Sequence, residues 1–125
     1  MPFENDQLTE KVIGLAIEVH RQLGPGLLES AYEECLCLEL KEAGLTFRRQ
    51  VPLPIIDKSI RLDCGCRLDL LIEDRLILEL KSVEGLLPIH EAQVLTYMRL
   101  SGIRTGLLLN FNSAVLKNGI RRLML

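Results

Sequence analysis

Residues 67–81 read RLDLLIEDRLILELK, and this stretch decides how the rest of the chain is interpreted. Two apolar runs flank a short polar segment, which is the pattern of a β-hairpin. If the turn centres on Asp74, Asp69 lies directly opposite Glu79, whereas a two-residue turn would move Asp69 to a diagonal position. Side chains alternate between faces along a strand, so Asp69, Glu79 and Lys81 are predicted to share one face of the hairpin.

Two neighbouring carboxylates repel each other and are costly to remove from water, so a positive charge on this face would stabilise them. Lys81 could supply it, and so could a hard divalent cation, which prefers carboxylate and water oxygens. A divalent ion beside a lysine is an arrangement that cleaves phosphodiesters, because the ion lowers the pKa of water and offsets charge on phosphate. The alternative is an ordinary ion pair on the half-exposed face of a sheet.

The composition indicates one folded domain spanning residues 1–125, since 48% of the residues are hydrophobic and charged residues are spread along the chain. No apolar run approaches the roughly 18 residues of a membrane span. The acidic, polar N-terminus lacks the pattern of a secretory signal. We therefore expect a cytoplasmic protein with no membrane partner.

The net charge of −2 conceals an uneven distribution of charge along the chain. Residues 1–47 carry nine acidic and three basic side chains, whereas residues 86–125 carry one acidic and five basic side chains. The basic C-terminal part could face a phosphate backbone, or the asymmetry could partly cancel when the chain folds.

The cysteines form two C-x-C pairs, Cys35 with Cys37 and Cys64 with Cys66, which could ligate zinc or an iron–sulfur cluster. The first pair falls in a predicted helix, where residues two apart do not face each other, and C-x-C is not the usual C-x2-C spacing. We therefore expect buried or partly buried thiols in a reducing compartment.

Hydrophobic periodicity predicts helices and strands in the order α-α-β-β-β-α-β-β. Helices are predicted at 8–23, 28–43 and 88–101, and strands at 46–56, 60–69, 76–81, 105–110 and 119–125. In the strand at 60–69, Gly65 permits a bulge or bend. Pro52 and Pro54 make the first strand an edge strand or one interrupted near its end. The apolar run at 105–110 predicts a central strand covered on both faces. The charged side chains of the second helix are predicted to face solvent: Glu33, Glu34, Glu39, Lys41 and Glu42.

Four short motifs occur in order along these elements. They are GLLESAY at 26–32, Arg67-Leu68-Asp69, Glu79-Leu80-Lys81 and QVLTY at 93–97. On these motifs the chain resembles the GxxExxY protein family of the PD-(D/E)XK nuclease superfamily, although Leu68 replaces the superfamily's proline before the aspartate. The resemblance covers most of the chain and implies an α/β fold with a restriction-endonuclease-like PD-(D/E)XK core, a mixed β-sheet flanked by helices.

The resemblance also implies a metal site. Asp69 and Glu79 would ligate Mg²⁺ or Mn²⁺ with the backbone carbonyl of Leu80. Lys81 would orient or deprotonate the attacking water, or stabilise charge on the phosphate. Glu29 would reach the site from its helix, as a ligand through water or at a second position.

The remaining residues of the motifs are implied to contact the substrate. Gln93 and Tyr97 would line the cleft and steady the nucleic-acid backbone or the site itself, and Arg67 would hold a phosphate. Tyr32 would do the same or simply pack. The function implied is metal-dependent hydrolysis of nucleic acid, DNA rather than RNA. The alternative is a catalytically silent domain that keeps the fold and binds nucleic acid or protein. A homodimer would double the basic surface available to a duplex.

Overall fold

A computed structural model describes residues 2–125, with side chains from residue 7 onward. The helices are α1 (Pro2–Leu23), α2 (Glu29–Glu42) and α3 (Pro88–Ser101). The strands are β1 (Phe47–Pro52), β2 (Ile55–Asp57), β3 (Ile60–Leu62), β4 (Arg67–Ile72), β5 (Leu76–Lys81), β6 (Thr105–Asn110) and β7 (Ile120–Met124). A short 3-10 helix (Leu116–Gly119) precedes the last strand.

Five strands form one mixed sheet in the order β1-β4-β5-β6-β7. The pairing of β5 with β6 is parallel, with α3 as the connection, and the other pairs of this sheet are antiparallel. All six residues of β6 are buried, which confirms the prediction of a central strand covered on both faces. β2 and β3 form a separate two-stranded sheet.

Helices cover both faces of the five-stranded sheet. The helices α1 and α2 pack on one face, where Leu70, Leu78 and Leu107 belong to their hydrophobic cluster. Helix α3 packs on the other face, and Gly106 of β6 allows it to come close, because a Cβ there would lie 3.0 Å from Val94. None of the helices within residues 2–125 combines the length and the apolar character needed to cross a bilayer.

Three predicted boundaries differ from the structure. Helix α1 begins at Pro2, six residues before the predicted start. The strand predicted at 46–56 is an edge strand that breaks between β1 and β2, as the two prolines indicated. The strand predicted at 60–69 is divided, because the chain leaves β3 and bends at Gly65, whose φ of +73° is in the left-handed region, before it enters β4.

The register of the β4–β5 hairpin is the one predicted for a turn centred on Asp74. Leu70 pairs with Leu78, and the last pair before the turn joins Ile72 to Leu76. Because a slip of one residue would move every side chain to the opposite face, this register determines which side chains meet beyond Leu70.

Candidate active site

Asp69 and Glu79, which we call the acid pair, lie where the two strands of the hairpin separate. Beyond the pair formed by Leu70 and Leu78, carboxylates take part in the hydrogen bonding between the strands. The Asp69 N–H donates to Oε1 of Glu79 at 3.0 Å, and the Leu80 N–H donates to Oδ2 of Asp69 at 2.8 Å. The hairpin therefore places the two carboxylates side by side.

The acid pair is short of positive charge. Burial, followed by the negative charge of Asp69, raises the pKa of Glu79 to about 8, and only 4% of this residue is exposed. Burial also raises the pKa of Asp69, although the hydrogen bond from Leu80 acts in the opposite direction. The charge of Lys81 lowers both pKa values without offsetting the burial. The pair therefore retains a proton near neutral pH unless another cation takes its place.

The oxygens around the acid pair fit a hard divalent cation. The Lys81 carbonyl accepts a hydrogen bond from the Phe111 N–H on the β6 side, so the Leu80 carbonyl, one residue earlier, faces the β4 side. Two carboxylates and a peptide carbonyl are ligands that Mg²⁺ and Mn²⁺ accept. Within residues 7–125, no three His, Cys, Asp or Glu side chains surround a common metal position.

A cleft of about 560 Å³ lies beside the acid pair and is lined by Lys81 of β5 and by residues of α3. Lys81 Nζ donates to Oε1 of Gln93 at 3.5 Å. Burial, followed by the charge of Glu79, raises the pKa of Tyr97, which lines the same cleft. His90 also lines this cleft, and its Nδ1 accepts the Leu87 N–H at 3.0 Å, so the neutral ring carries its proton on Nε2.

Tyr32 lies in the core and not on the cleft. Tyr32 is fully buried, and its ring stacks on that of Phe111 with the ring centroids 4.5 Å apart. The hydroxyl donates to the Gly24 carbonyl at 2.6 Å and accepts the Leu27 N–H at 3.1 Å. Tyr32 therefore packs against the core and fixes the loop before α2, which was the second of the two roles considered for it.

Two further residues of the predicted site have exposed side chains. Glu29 is exposed in the first turn of α2 and joins no cluster of three metal-ligating side chains within residues 7–125. Arg67 is exposed at the first position of β4, two residues before Asp69. The structure thus joins Lys81 of the hairpin to Gln93 of α3, whereas within the GLLESAY motif Tyr32 is buried in the core and Glu29 is exposed.

The sequence analysis missed Glu33, a carboxylate of α2. It is linked to the acid pair because the Gln50 amide contacts both Glu33 and Asp69. Only 12% of its side chain is exposed, so the prediction that Glu33 faces solvent is wrong, because Arg49 and Gln50 of β1 cover it. Gln50 Nε2 donates to Oε1 of Glu33 at 2.9 Å and to Oδ1 of Asp69 at 3.5 Å. The available signal was the spacing, since Glu33 follows Glu29 by four residues on the same helix face.

The four cysteines are free thiols. Cys37 is buried, and burial raises its pKa to about 11, while Cys35 and Cys66 are partly buried. Cys64 differs from the expectation, because it is exposed in the segment between β3 and β4.

An aspartate on one central strand and an E-x-K segment on the next, beside a helix-lined cleft, define a nuclease-like domain. The family model of the PD-(D/E)XK nuclease superfamily matches residues 6–123, and the chain belongs to this superfamily. A search of curated proteins and a search of solved structures gave no match. Membership supports a nuclease-like function with nucleic acid as the class of substrate.

Proposed function

We propose that this protein hydrolyses phosphodiester bonds in DNA and that it needs Mg²⁺ or Mn²⁺ at the acid pair. One observation carries the proposal: both carboxylates are inserted between separating strands, next to the Leu80 peptide and Lys81. A structural ion pair would not require two adjacent acids to stay buried with raised pKa values. A divalent ion gives this arrangement a physical reason, because it offsets the repulsion within the pair.

The residues of the hairpin have distinct roles in this proposal. Asp69, Glu79 and the Leu80 carbonyl would hold the ion, which would supply activation of water and neutralisation of phosphate charge. Lys81, next to the acid pair and hydrogen-bonded to Gln93, orients the attacking water and stabilises negative charge on the phosphate. Glu29, exposed in the first turn of α2, would act through water or as a ligand at a second position.

Substrate contacts fall to the residues that line or border the cleft. Gln93 holds Lys81 in place, and the Tyr97 hydroxyl offers a donor in the cleft. Arg67, exposed beside Asp69, holds a phosphate of the DNA backbone. Replacement of Arg67 by Gln should weaken DNA binding without changing the affinity for Mn²⁺. The slope of log affinity against log salt concentration should decrease in magnitude by about one, because one phosphate contact is lost.

Cleavage assays with purified protein test the proposal. Supercoiled plasmid, labelled single-stranded and double-stranded DNA, and RNA are incubated with Mg²⁺, Mn²⁺ or EDTA. We expect metal-dependent cleavage of DNA, which Asp69→Asn, Glu79→Gln and Lys81→Met each reduce about a hundredfold or more. Glu84→Gln, at an exposed position in the loop after β5, is the control and should cleave normally.

The same variants distinguish catalysis from binding alone. A protein that binds DNA but cuts none of these substrates with either metal would be a catalytically silent member of the superfamily.

We also propose that the chain functions as one domain and that two copies assemble on a duplex. Light scattering with and without a short duplex measures the mass, and a single copy in both conditions would contradict the assembly.

A further inference from the structure

Gln50 of β1 occupies an unusual position opposite Asp69. Along the β1–β4 ladder, Arg49 pairs with Leu70 and Val51 pairs with Leu68, so Gln50 and Asp69 stand opposite each other where the ladder is interrupted. The backbone φ of Gln50 is +50°, in the left-handed region that residues other than glycine rarely adopt. Such a conformation persists only where the surrounding structure enforces it, and it often marks a functional site.

The Gln50 side chain connects two carboxylates on different elements. Its amide nitrogen donates to Oε1 of Glu33 on α2 at 2.9 Å and to Oδ1 of Asp69 on β4 at 3.5 Å. Glu33 is itself held by Arg49, which donates to its Oε2 at 2.8 Å and also contacts Glu34 at 2.7 Å. The amide of Gln50 is therefore fixed at one end by an anchored acid and approaches the acid pair at the other.

A glutamine amide suits this place chemically. It provides two N–H donors, one for each carboxylate, and it carries no charge. A lysine or arginine would also satisfy both acids, but its charge would compete with a cation at the acid pair, whereas a glutamate would add repulsion. The other oxygen of Asp69, Oδ2, already accepts the Leu80 N–H at 2.8 Å, so one donor approaches each oxygen of that carboxylate.

We propose that Gln50 is a positioning residue, which fixes the orientation of the Asp69 carboxylate by bridging it to Glu33. The left-handed backbone of Gln50 serves to aim the amide at both acids. This inference rests on the proposed function for its catalytic consequence, because an oriented Asp69 is what a divalent ion at the acid pair would need. Residues outside the ligand set that orient a ligand commonly change metal affinity ten- to a hundredfold when replaced.

Gln50→Gly tests the proposal, since glycine removes the amide and also relieves the left-handed backbone. The matched control is Lys58→Gly, because Lys58 has the same φ of +50° in the turn between β2 and β3, away from the acid pair. Both variants should unfold at a temperature equal to or above that of the wild type. A defect that only Gln50→Gly shows therefore reflects the missing amide and not a loss of folding.

The first measurement is hydrogen exchange of the Leu80 amide in metal-free protein, by NMR. This amide donates to Asp69, so a less constrained carboxylate should speed its exchange by about threefold or more in Gln50→Gly, and not in Lys58→Gly. Leu78 belongs to the last pair before the strands separate. The exchange rate of its amide should be unchanged and serves as an internal reference.

The second measurement is Mn²⁺ affinity by calorimetry. We expect Gln50→Gly to bind Mn²⁺ about tenfold more weakly than wild type and Lys58→Gly to bind it normally. If Leu80 exchange in Gln50→Gly equals that of wild type, the positioning role is refuted, whatever the metal affinity. If Leu80 responds but the wild type binds no Mn²⁺, Gln50 does position Asp69, and the proposed metal-dependent function fails instead.

Discussion

In metal-free protein, Glu79→Gln should remove most of a decline in stability that we expect between pH 5 and pH 7. The pKa of Glu79 is raised to about 8 from its ordinary 4.5, so within this interval the folded protein keeps a proton that the unfolded chain releases. Stability is therefore fully present below the unfolded pKa and is lost as the pH rises toward the folded pKa. A difference of one proton is worth about 1.4 kcal/mol per pH unit, and an incomplete difference near pH 5 reduces the loss to about 2 kcal/mol.

Urea unfolding in EDTA, followed by circular dichroism, measures the free energy of unfolding at each pH. Glutamine has the shape of a protonated glutamate and no proton to release, so the variant should gain about 2 kcal/mol relative to wild type as the pH rises from 5 to 7. Glu84→Gln, on the exposed loop after β5, should follow the wild type. Addition of Mn²⁺ at pH 7 should stabilise the wild type and have little effect on Glu79→Gln.

The reasoning would be refuted if wild-type stability stays constant or increases between pH 5 and pH 7. It would also be refuted if Glu79→Gln and the wild type lose stability in parallel, because Glu79 would then not be the group that holds the extra proton.

Three further substitutions test the packing that supports the site, each by urea unfolding. Tyr32→Phe should cost about 1–2 kcal/mol, because the hydroxyl bonds both the Gly24 carbonyl and the Leu27 N–H while the ring stacking is preserved. Gly119→Ala should cost about 2 kcal/mol or more, because its Cβ would lie 2.7 Å from the Asn110 carbonyl oxygen. Asn110→Ala should cost about 2–3 kcal/mol, because this buried amide makes hydrogen bonds to the segment after β5 and to the turn after β6.

Two of these substitutions have matched controls in the chain. Gly85→Ala meets nothing within 4 Å of its Cβ and should leave stability unchanged, so an equal effect at Gly119 and Gly85 would contradict the steric argument. Asn118→Ala, at an exposed position, should be neutral beside Asn110→Ala. For Tyr32→Phe, unchanged stability would mean that water replaces the two hydrogen bonds of the hydroxyl.

Local sequence patterns predicted much of the fold correctly. The polar break at Asp74 between two apolar runs set the hairpin register, because a slip of one residue would expose an entire apolar face. The continuous apolar run of β6 indicated a strand covered on both faces, and the sheet confirms it. Pro52 at the end of β1 and Pro54 just beyond it marked the break in that strand, since each removes a backbone donor.

The errors fall where residues distant in the chain meet. Glu33 is a charged residue in a charged stretch of α2, which predicts exposure to solvent. Only the packing of β1 beside α2 gives it Arg49 and Gln50 as partners. The separation of β3 from β4 likewise depends on where β2 packs, which periodicity does not encode. Tyr32 and Glu29 belong to one motif, yet the helix turns one toward the core and leaves the other exposed.

The sequence by itself determined the order of the three helices and of the five strands of the main sheet, the hairpin register and hence the adjacency of Asp69 and Glu79. These properties follow from the period of apolar residues and from the turn, both of which are local. Only the tertiary structure decided that Gln50 connects the acid pair to Glu33. Such contacts depend on how sheet and helices pack, and burial, which raises the pKa of Glu79, exists only once they have packed.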